Sequence, residues 1–466
     1  MLEPGLLTFA HARQAVPLLG AVVAAMVLAR VLRRPHTEIY KRGVLVRDAV
    51  PRRCRAAGSG GSFGARVALA GVWVPPEDEL KHFKIIGSTG TGKSTAIREL
   101  LAAALERGDR AIIADPDGGY QARLYRRYRG DMLLNPFEAD SARWDPYAEI
   151  ADPYDIEHLS SALIPSSHDA SAAEWRSYAR TFLSAVLRVA HSRRDCAELW
   201  RLLSAASADE LKPLVAGTPA QPFLESENAR MFGSIRSVAV SALAALEHVG
   251  RQRSAPISVR AWVRSTAARG ALFIPYKAAH IAALRSMIAT WMRLAIFEAL
   301  NSVEGRDQRL WFVVDELDAL GAIDGLKDAL ARLRKFGGRC VLGFQSIAQV
   351  SGTYGGDAQT IVENCSNSLI LRCSASENGG TSQFASRLIG DREVLKTQVS
   401  RGSDRESAFW SRGGRRSRST SEQHVTEAAV LPSQIEQLPD FCGYLKRASS
   451  REWFKVRFAR PRGTGR

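Results

Sequence analysis

Apolar positions along the chain follow two different periods. Short apolar runs that end in turn or polar residues alternate with stretches of helical spacing on both sides of a long central segment. The apolar runs cover residues 83–86, 111–114, 132–134, 310–314, 340–344 and 369–372. Alternating strands and helices of this kind predict a doubly wound α/β fold with a mostly parallel sheet, in which chemistry lies at the carboxyl ends of the strands.

The strand pattern fades between residues 152 and 285. Residues 174–192, 195–206 and 230–250 carry apolar residues at helical spacing instead. We therefore expect an all-α domain at 152–285, inserted between a first part (65–151) and a second part (286–466) of the α/β domain. Within the second part, residues 400–421 are rich in Ser, Arg and Gly, which predicts a mobile basic loop or an extended hairpin.

A long uncharged stretch lies near the N-terminus, at residues 15–29. Together with the apolar residues that follow it, the stretch would form a helix about 27 Å long, which is barely enough to span a membrane. Basic residues follow the stretch, which by the positive-inside rule places the rest of the chain in the cytoplasm. We expect a membrane helix within 1–35 and a basic juxtamembrane segment and linker at 36–64. A buried or partner-bound helix is the alternative, and one or two spans remain open.

Charge and composition narrow the class of partner. The formal net charge is +16, from 64 Lys and Arg against 48 Asp and Glu, which favours a polyanion such as nucleic acid or anionic lipid. The alternative is a GC-rich genome that favours Arg over Lys, although that bias would not by itself give an excess of basic over acidic residues. Six scattered cysteines without a C-x-x-C pair predict neither a disulfide framework nor a zinc site, and indicate a reducing compartment.

Residues 87–94, Gly-Ser-Thr-Gly-Thr-Gly-Lys-Ser, match G-x-x-x-x-G-K-[ST] between a predicted strand and a predicted helix. Glycines let successive N–H groups point at an anion, Lys93 reaches the β- and γ-phosphates, and the Ser94 hydroxyl binds Mg²⁺. A chance glycine turn is the alternative, and the correct flanks argue against it. We predict an ATP and Mg²⁺ site whose nucleotide-binding residues are Gly87, Ser88, Thr89, Gly90, Thr91, Gly92, Lys93, Ser94 and Thr95.

Four further residues complete a predicted ATP-hydrolysing site. Asp315 and Glu316 end an apolar strand, so Asp315 is expected to hold the magnesium shell and Glu316 to orient or deprotonate the attacking water. Either carboxylate alone would more often be a solvated strand end. Gln345 ends the next strand and is a candidate γ-phosphate sensor or a polar strand cap. Arg334 is an arginine-finger candidate, but a solvated basic helix end is the better interpretation from the residues alone.

Several motifs together resemble the conjugative type IV coupling proteins of the TraD type. They span roughly residues 38–458 and lie at residues 39–43, 71–75, 82–95, 115–118, 134–137, 144–149, 314–317, 334–349 and 438–444. One departure is Glu-Ala-Asp-Ser-Ala-Arg after residue 137, where the family more often has Asp-Ala-Arg-Ser. A second is that the family usually has two membrane spans.

The resemblance implies a RecA-like ring ATPase, typically a homo-hexamer, in the bacterial inner membrane with its bulk in the cytoplasm. Such proteins deliver a relaxase-bound single strand of DNA to a type IV secretion channel. By motif position, Lys93, Ser94, Asp315 and Glu316 carry over as the ATP site, Gln345 as the sensor and Arg334 as the trans arginine finger. Arg372 is a weaker interface candidate, and Trp175 a weaker channel-facing one.

Two other functions compete with a conjugative DNA pump. One is a double-stranded DNA translocase of the FtsK/HerA kind, which shares the core chemistry. The other is a substrate-recruiting scaffold whose ATP site controls ring assembly. DNA stimulation of ATP turnover separates the pump from the scaffold.

Overall fold

The computed structural model describes residues 38–49, 66–167, 169–192, 194–304, 308–377, 379–403 and 416–459. These residues form two compact units, a larger one within Leu45–Ile389 and Val430–Arg466, and a smaller one that includes Gly390–Ala429. The predicted membrane helix at 1–35 lies outside the described residues. Among the helices that are described, none is both long and apolar enough to cross a membrane.

A ten-stranded sheet forms the centre of the larger unit. Across the sheet its strands are Val46–Asp48, Trp453–Arg457, Cys442–Lys446, Asn367–Ile370, Phe83–Ile86, Gly338–Phe344, Leu310–Val314, Arg110–Pro116, Ala271–Tyr276 and Met132–Leu133. The seven strands from Asn367–Ile370 to Met132–Leu133 are parallel. Cys442–Lys446 and Trp453–Arg457 extend the sheet in antiparallel pairing. The α/β class with a large, mostly parallel sheet is therefore confirmed.

The order of the strands determines which side chains can meet. Gly338–Phe344 lies between Phe83–Ile86 and Leu310–Val314, with Phe344 opposite Ile86 and Leu342 opposite Val314. All residues of these three strands are buried, which explains why apolar residues predominate on both faces instead of alternating with polar ones; Lys84 and Arg339 are the charged exceptions. Because the three strands are parallel, the residues that follow them lie at one edge of the sheet.

Helices and short turns surround the sheet. The helices outside the central helical segment are Pro76–Glu79, Lys93–Glu106, Gln121–Leu124, Ile281–Leu300, Leu326–Arg332, Ile347–Tyr354, Asp357–Asn364, Gly380–Ile389 and Pro432–Glu436. Ile97 and Leu100 of the second helix share one buried apolar cluster with Ile85, Ile113 and Val313 of the sheet. This burial is the dominant favourable term in folding and fixes the start of the helix beside the strand ends.

The central segment is mostly helical as far as Arg264 and also contains the short strand Pro256–Ile257, which pairs with Arg143–Trp144. Its helices are Pro153–Leu163, Ala170–Ala190, Cys196–Ser204, Ala208–Val215, Ala229–Leu243, Leu246–Arg251 and Val259–Arg264. The predicted all-α range of 152–285 is wrong beyond that point, because Ala271–Tyr276 is a strand paired with Arg110–Pro116. A strand buried on both faces shows no alternation, so its sequence cannot be told from a buried helical segment by period alone.

The smaller unit contains a three-stranded antiparallel sheet. Glu38–Gly43 pairs with Asp391–Ser403, which pairs along its length with Arg416–Ala428. Of the two alternatives for residues 400–421, the extended hairpin is correct for the paired residues. The predicted range 286–466 is wrong as one continuous part, because this unit interrupts it. The expected juxtamembrane segment and linker at 36–64 includes the strands Glu38–Gly43 and Val46–Asp48. These two strands are short, and each pairs with residues about 350 to 410 positions later along the chain.

Candidate active site

The glycine loop joins the strand Phe83–Ile86 to the helix Lys93–Glu106. Gly90 and Gly92 have φ values of +79° and +110°, a region that favours glycine. Thr91 closes the turn, since its Oγ1 donates to the Ser88 carbonyl at 2.7 Å. No side chain caps the N-terminus of the helix. The loop and the first helical turn, which includes Ser94 and Thr95, therefore present N–H groups suited to an anion.

Lys93 and Asp315 form a buried pair that is not fully satisfied. Lys93 Nζ lies 3.6 Å from Asp315 Oδ1, and the two side chains are 7% and 2% exposed. Neither atom has a hydrogen-bond partner among the described residues. Buried charged groups without hydrogen bonds are costly. Phosphate oxygens beside Lys93 and a cation beside Asp315 would satisfy both atoms, so these residues fit a magnesium nucleotide.

The second oxygen of Asp315 is held by two hydroxyls. Ser94 Oγ donates to Asp315 Oδ2 at 2.5 Å, and the Tyr120 hydroxyl donates to the same oxygen at 2.7 Å. Burial and the charge of Asp315 raise the pKa of Tyr120 well above its ordinary value, so this hydroxyl remains a donor. A serine hydroxyl beside a fixed carboxylate provides the oxygen ligands that Mg²⁺ prefers.

Glu316 is connected to the glycine loop through Gln345. Gln345 Nε2 donates to Glu316 Oε1 at 3.0 Å, and Thr89 Oγ1 donates to Gln345 Oε1 at 2.8 Å. Burial raises the pKa of Glu316, and the charge of Lys93 opposes this shift. The predicted residues Lys93, Ser94, Asp315, Glu316 and Gln345 thus lie together at the carboxyl edge of the sheet.

Asp115 and Tyr120 belong to this site although sequence reasoning gave them no role. Asp115 is the penultimate residue of the strand Arg110–Pro116, opposite Pro275, and its carboxylate accepts the N–H groups of Tyr120 at 2.9 Å and Gln121 at 2.6 Å. Burial raises the pKa of Asp115 to about 6, although these two N–H groups lower it. Asp115 thereby fixes the turn that carries Tyr120 to Asp315. The sequence feature that indicates Asp115 is a carboxylate at the end of an apolar strand, followed by a glycine turn.

Arg334 does not join the site of its own chain. It is exposed in the short helical turn Leu333–Phe336, before the strand Gly338–Phe344 begins, and so lies toward the amino edge of the sheet. Burial lowers the pKa of His82 to about 4, and the charge of Arg334 contributes to this shift. His82 directly precedes the strand Phe83–Ile86, so Arg334 acts on the amino edge of the sheet.

The two weaker candidates occupy different places. Arg372 forms an ion pair with Asp440 at 2.7 Å, and its backbone carbonyl accepts the N–H of Ser88 at 2.9 Å, so it adjoins the glycine loop. Trp175 lies in the helix Ala170–Ala190, where its ring is 6.0 Å from that of Tyr178.

The family of type IV secretion-system coupling protein DNA-binding domains matches residues 66–459. The chain belongs to this family. One relative is coupling protein TraD of Escherichia coli K12, which is 31% identical over 384 residues that cover 79% of this chain. Conjugal transfer protein TraG of Escherichia coli is 22% identical over 405 residues. The chain spans only 51% of the length of TraD and 62% of that of TraG in these alignments.

Solved structures of the conjugative coupling protein TrwB share the fold. Unbound TrwB has a TM-score of 0.76 and 28% identity, and the match covers 90% of this chain and 94% of that one. TrwB has also been solved with a non-hydrolysable ATP analogue, with a TM-score of 0.75 and 28% identity, and with ADP and Mg²⁺. The large, mostly parallel sheet of this chain is therefore that of the RecA-like coupling proteins.

Proposed function

We propose that this chain is an ATP-driven DNA translocase that couples a relaxase-bound single strand to a type IV secretion channel during conjugative transfer. The observation that carries the proposal is the buried, incompletely satisfied pair of Lys93 and Asp315 at the carboxyl edge of the sheet. The coupling-protein relatives support the biological role, and the nucleotide complexes of TrwB support ATP and Mg²⁺ as ligands.

The glycine loop and the first helical turn are proposed to hold the phosphates. The N–H groups of residues 87–95 and the ammonium of Lys93 would bind their oxygens. Ser94 and Asp315 would hold magnesium, with Tyr120 keeping Asp315 in place. Magnesium, when bound, would neutralise charge on the phosphate oxygens.

Glu316 and Gln345 are proposed to act where the water attacks. Burial makes Glu316 a stronger base than an exposed glutamate, which suits it to orient a water and accept its proton. Gln345 lies between Glu316 and Thr89 of the glycine loop. A phosphate that competes for Thr89 or Gln345 would therefore alter the hydrogen bonding of Glu316, which is the behaviour expected of a sensor.

A homo-hexameric ring is proposed because Arg334, the predicted arginine finger, does not join the site of its own chain. Arg334 is exposed toward the opposite edge of the sheet, where it is accessible to the site of a neighbouring copy. An arginine supplied in trans stabilises charge that develops on the γ-phosphoryl group. Arg372 is a second interface candidate, and Trp175 is a candidate for the DNA channel.

Membrane attachment and DNA as the polyanionic partner complete the proposal. A helix within residues 1–35 would anchor the chain in the bacterial inner membrane, with the remaining residues in the cytoplasm. The net charge of +16 favours binding to phosphates without reading sequence. The relaxase and the components of the secretion channel are the proposed protein partners.

ATP turnover by the detergent-solubilised full chain tests the enzymatic proposal. We expect single-stranded DNA to stimulate the wild type. Lys93→Ala should lose nucleotide binding, whereas Glu316→Gln should bind ATP and turn it over slowly, because one residue grips phosphate and the other acts on water. Wild-type turnover by both variants would reject the site.

The same assay separates the competing functions. Turnover that DNA does not stimulate favours the scaffold, and stimulation by duplex DNA alone favours an FtsK/HerA-like translocase.

Arg334→Ala should have almost no ATP turnover, since arginine fingers contribute on the order of 10³–10⁵ in rate. Mixing Arg334→Ala chains with Lys93→Ala chains should restore part of the turnover. In a mixed ring, some subunit boundaries pair an intact Lys93 with an intact Arg334 from the neighbouring copy. Near-normal turnover by an assembled Arg334→Ala ring would reject the finger.

A further inference from the structure

Tyr276 is a buried tyrosine whose hydroxyl is not hydrogen-bonded. It is the last residue of the strand Ala271–Tyr276 and is 4% exposed. Its hydroxyl has no hydrogen-bond partner among the described residues. Its backbone is fixed, since its carbonyl accepts the Asp117 N–H at 2.8 Å. Buried hydroxyls are normally paired, so an unpaired one needs an explanation in a water, a ligand or a function.

Tyr276 and Glu316 lie at the same edge of the sheet. Tyr276 ends its strand opposite Pro116, and on the other side of that strand Val314 lies opposite Ala114. Glu316 follows Val314 by two residues, in the turn after the strand Leu310–Val314. The strand that ends at Tyr276 and the strand that leads to Glu316 are therefore two apart, about 10 Å between backbones. Side chains at one edge of a sheet can share a water across this gap.

The surroundings of the hydroxyl are acidic. Burial raises the pKa of Tyr276 far above its ordinary value, and the charges of Glu316, Asp315, Asp115 and Asp117 raise it further. The hydroxyl therefore keeps its proton at any physiological pH and is available as a hydrogen-bond donor. Ionised carboxylates accept hydrogen bonds. Because the Tyr276 hydroxyl has no hydrogen-bond partner among the described residues, a water that accepts from the hydroxyl and donates to a carboxylate would satisfy both sides.

We propose that Tyr276 is a positioning residue that donates a hydrogen bond to the water Glu316 holds for attack on the γ-phosphate. The inference rests on the proposed ATP hydrolysis. In that step the water oxygen bonds to the γ-phosphorus, and the bond to the bridging oxygen breaks with its electron pair going to ADP. The proton of the water passes to Glu316. Tyr276 keeps its own proton and limits the orientations of the water.

Tyr276→Phe in the full chain tests this role, because it removes only the hydroxyl. The thermal midpoint should stay the same or rise, since an unsatisfied buried hydroxyl is lost. Affinity for a fluorescent ATP analogue should not change. The kcat for ATP should fall about tenfold, the size expected for one hydrogen bond made in the transition state.

Tyr147→Phe is the matched control. Tyr147 is also fully buried, but its hydroxyl donates to the Asp195 carbonyl at 3.0 Å in the helical segment. Its replacement should lower the thermal midpoint and leave kcat unchanged. The two variants thus have opposite expected signatures, so general damage from removing a buried hydroxyl cannot imitate the proposed effect.

A double variant identifies the partner of Tyr276. If both residues act on the same water, Tyr276→Phe should cause little further loss of kcat in a Glu316→Gln background. Normal kcat in Tyr276→Phe would overturn the proposal, and so would an undiminished tenfold loss in the double variant. A lowered midpoint with weakened nucleotide binding would also overturn it. Failure of the proposed ATP hydrolysis is distinguishable, because Lys93→Ala and Glu316→Gln would then turn over like the wild type.

Discussion

At the scale of single residues, three polar atoms at the carboxyl edge are buried without a hydrogen-bond partner among the residues that the structure describes. They are Lys93 Nζ, Asp315 Oδ1 and the Tyr276 hydroxyl. Each would be more stable in water or in a hydrogen bond. Their presence together is what a binding site for phosphate, cation and water requires, because a protein that satisfied these atoms internally would leave nothing for a ligand to bind.

Tyr120→Phe is expected to weaken magnesium binding. The change keeps the buried ring and removes the 2.7 Å hydrogen bond to Asp315 Oδ2. Asp315 would then be held on that oxygen by Ser94 alone. Losing an outer partner of a metal-binding carboxylate typically costs 10- to 100-fold in metal affinity, so half-maximal ATP turnover should need roughly tenfold more Mg²⁺. A Mg²⁺ titration at saturating nucleotide measures this, with Tyr147→Phe as the control. An unchanged titration would contradict the assigned role of Tyr120.

Site residues that belong to a local motif can be predicted from the sequence. Site residues that only the pairing of strands in the sheet brings together cannot. The loop from Gly87 to Ser94 is contiguous, and Asp315 and Glu316 are marked by the apolar strand before them. Tyr120 reaches a carboxylate 195 positions away. No period or spacing predicts that contact, because it depends on which strands are neighbours in the sheet.

At the scale of elements, the strand Gly338–Phe344 determines the layout of the site. It separates the strand before the glycine loop from the strand before Asp315, so Gln345 emerges between them. The strand must approach Asp315 closely, since a Cβ on Gly343 would lie 2.4 Å from the Asp315 carbonyl oxygen. The Gly343 carbonyl also accepts the Leu317 N–H at 2.9 Å. A side chain at position 343 would therefore displace the turn that carries Asp315 and Glu316.

Gly343→Ala is therefore expected to lower both the free energy of unfolding and ATP turnover. Overpacking of a rigid core typically costs about 1–3 kcal/mol. Gly352→Ala is the control, because its Cβ would meet no atom within 4 Å and it lies inside the helix Ile347–Tyr354. That change should stabilise the protein by about 0.5–1 kcal/mol. Urea unfolding measures both variants, and equal stability of Gly343→Ala and the wild type would show that the close approach is not required.

The elements were predicted best where a polar residue marks the end of a strand. The two carboxylates after Leu310–Val314 mark it as a strand that ends at the site, whereas the sequence predicts that Ala271–Tyr276 belongs to a helical segment. Both are fully buried apolar runs, so burial alone did not distinguish them. The strands of the smaller unit were harder still, since Glu38–Gly43 pairs with residues about 350 positions later along the chain.

At the scale of the whole molecule, the two edges of the sheet have different chemistry. The carboxyl edge carries the glycine loop and the carboxylates, and Arg334 lies toward the amino edge. A single copy therefore holds the groups that we propose bind and hydrolyse ATP, but Arg334, the proposed finger, lies away from them. A ring in which each copy completes the site of its neighbour would make turnover depend on assembly, and would let one copy pass the state of its nucleotide to the next.

The central claim is that ATP hydrolysis moves DNA, and displacement of streptavidin from the end of a biotinylated single-stranded oligonucleotide tests it most directly. The full chain with ATP and Mg²⁺ is predicted to release streptavidin, with no release without nucleotide. Glu316→Gln is predicted to bind the same DNA and ATP without releasing streptavidin, because the variant lacks the carboxylate that we propose activates the water. DNA-stimulated ATP turnover by the wild type with no displacement from either end of the strand would contradict the account.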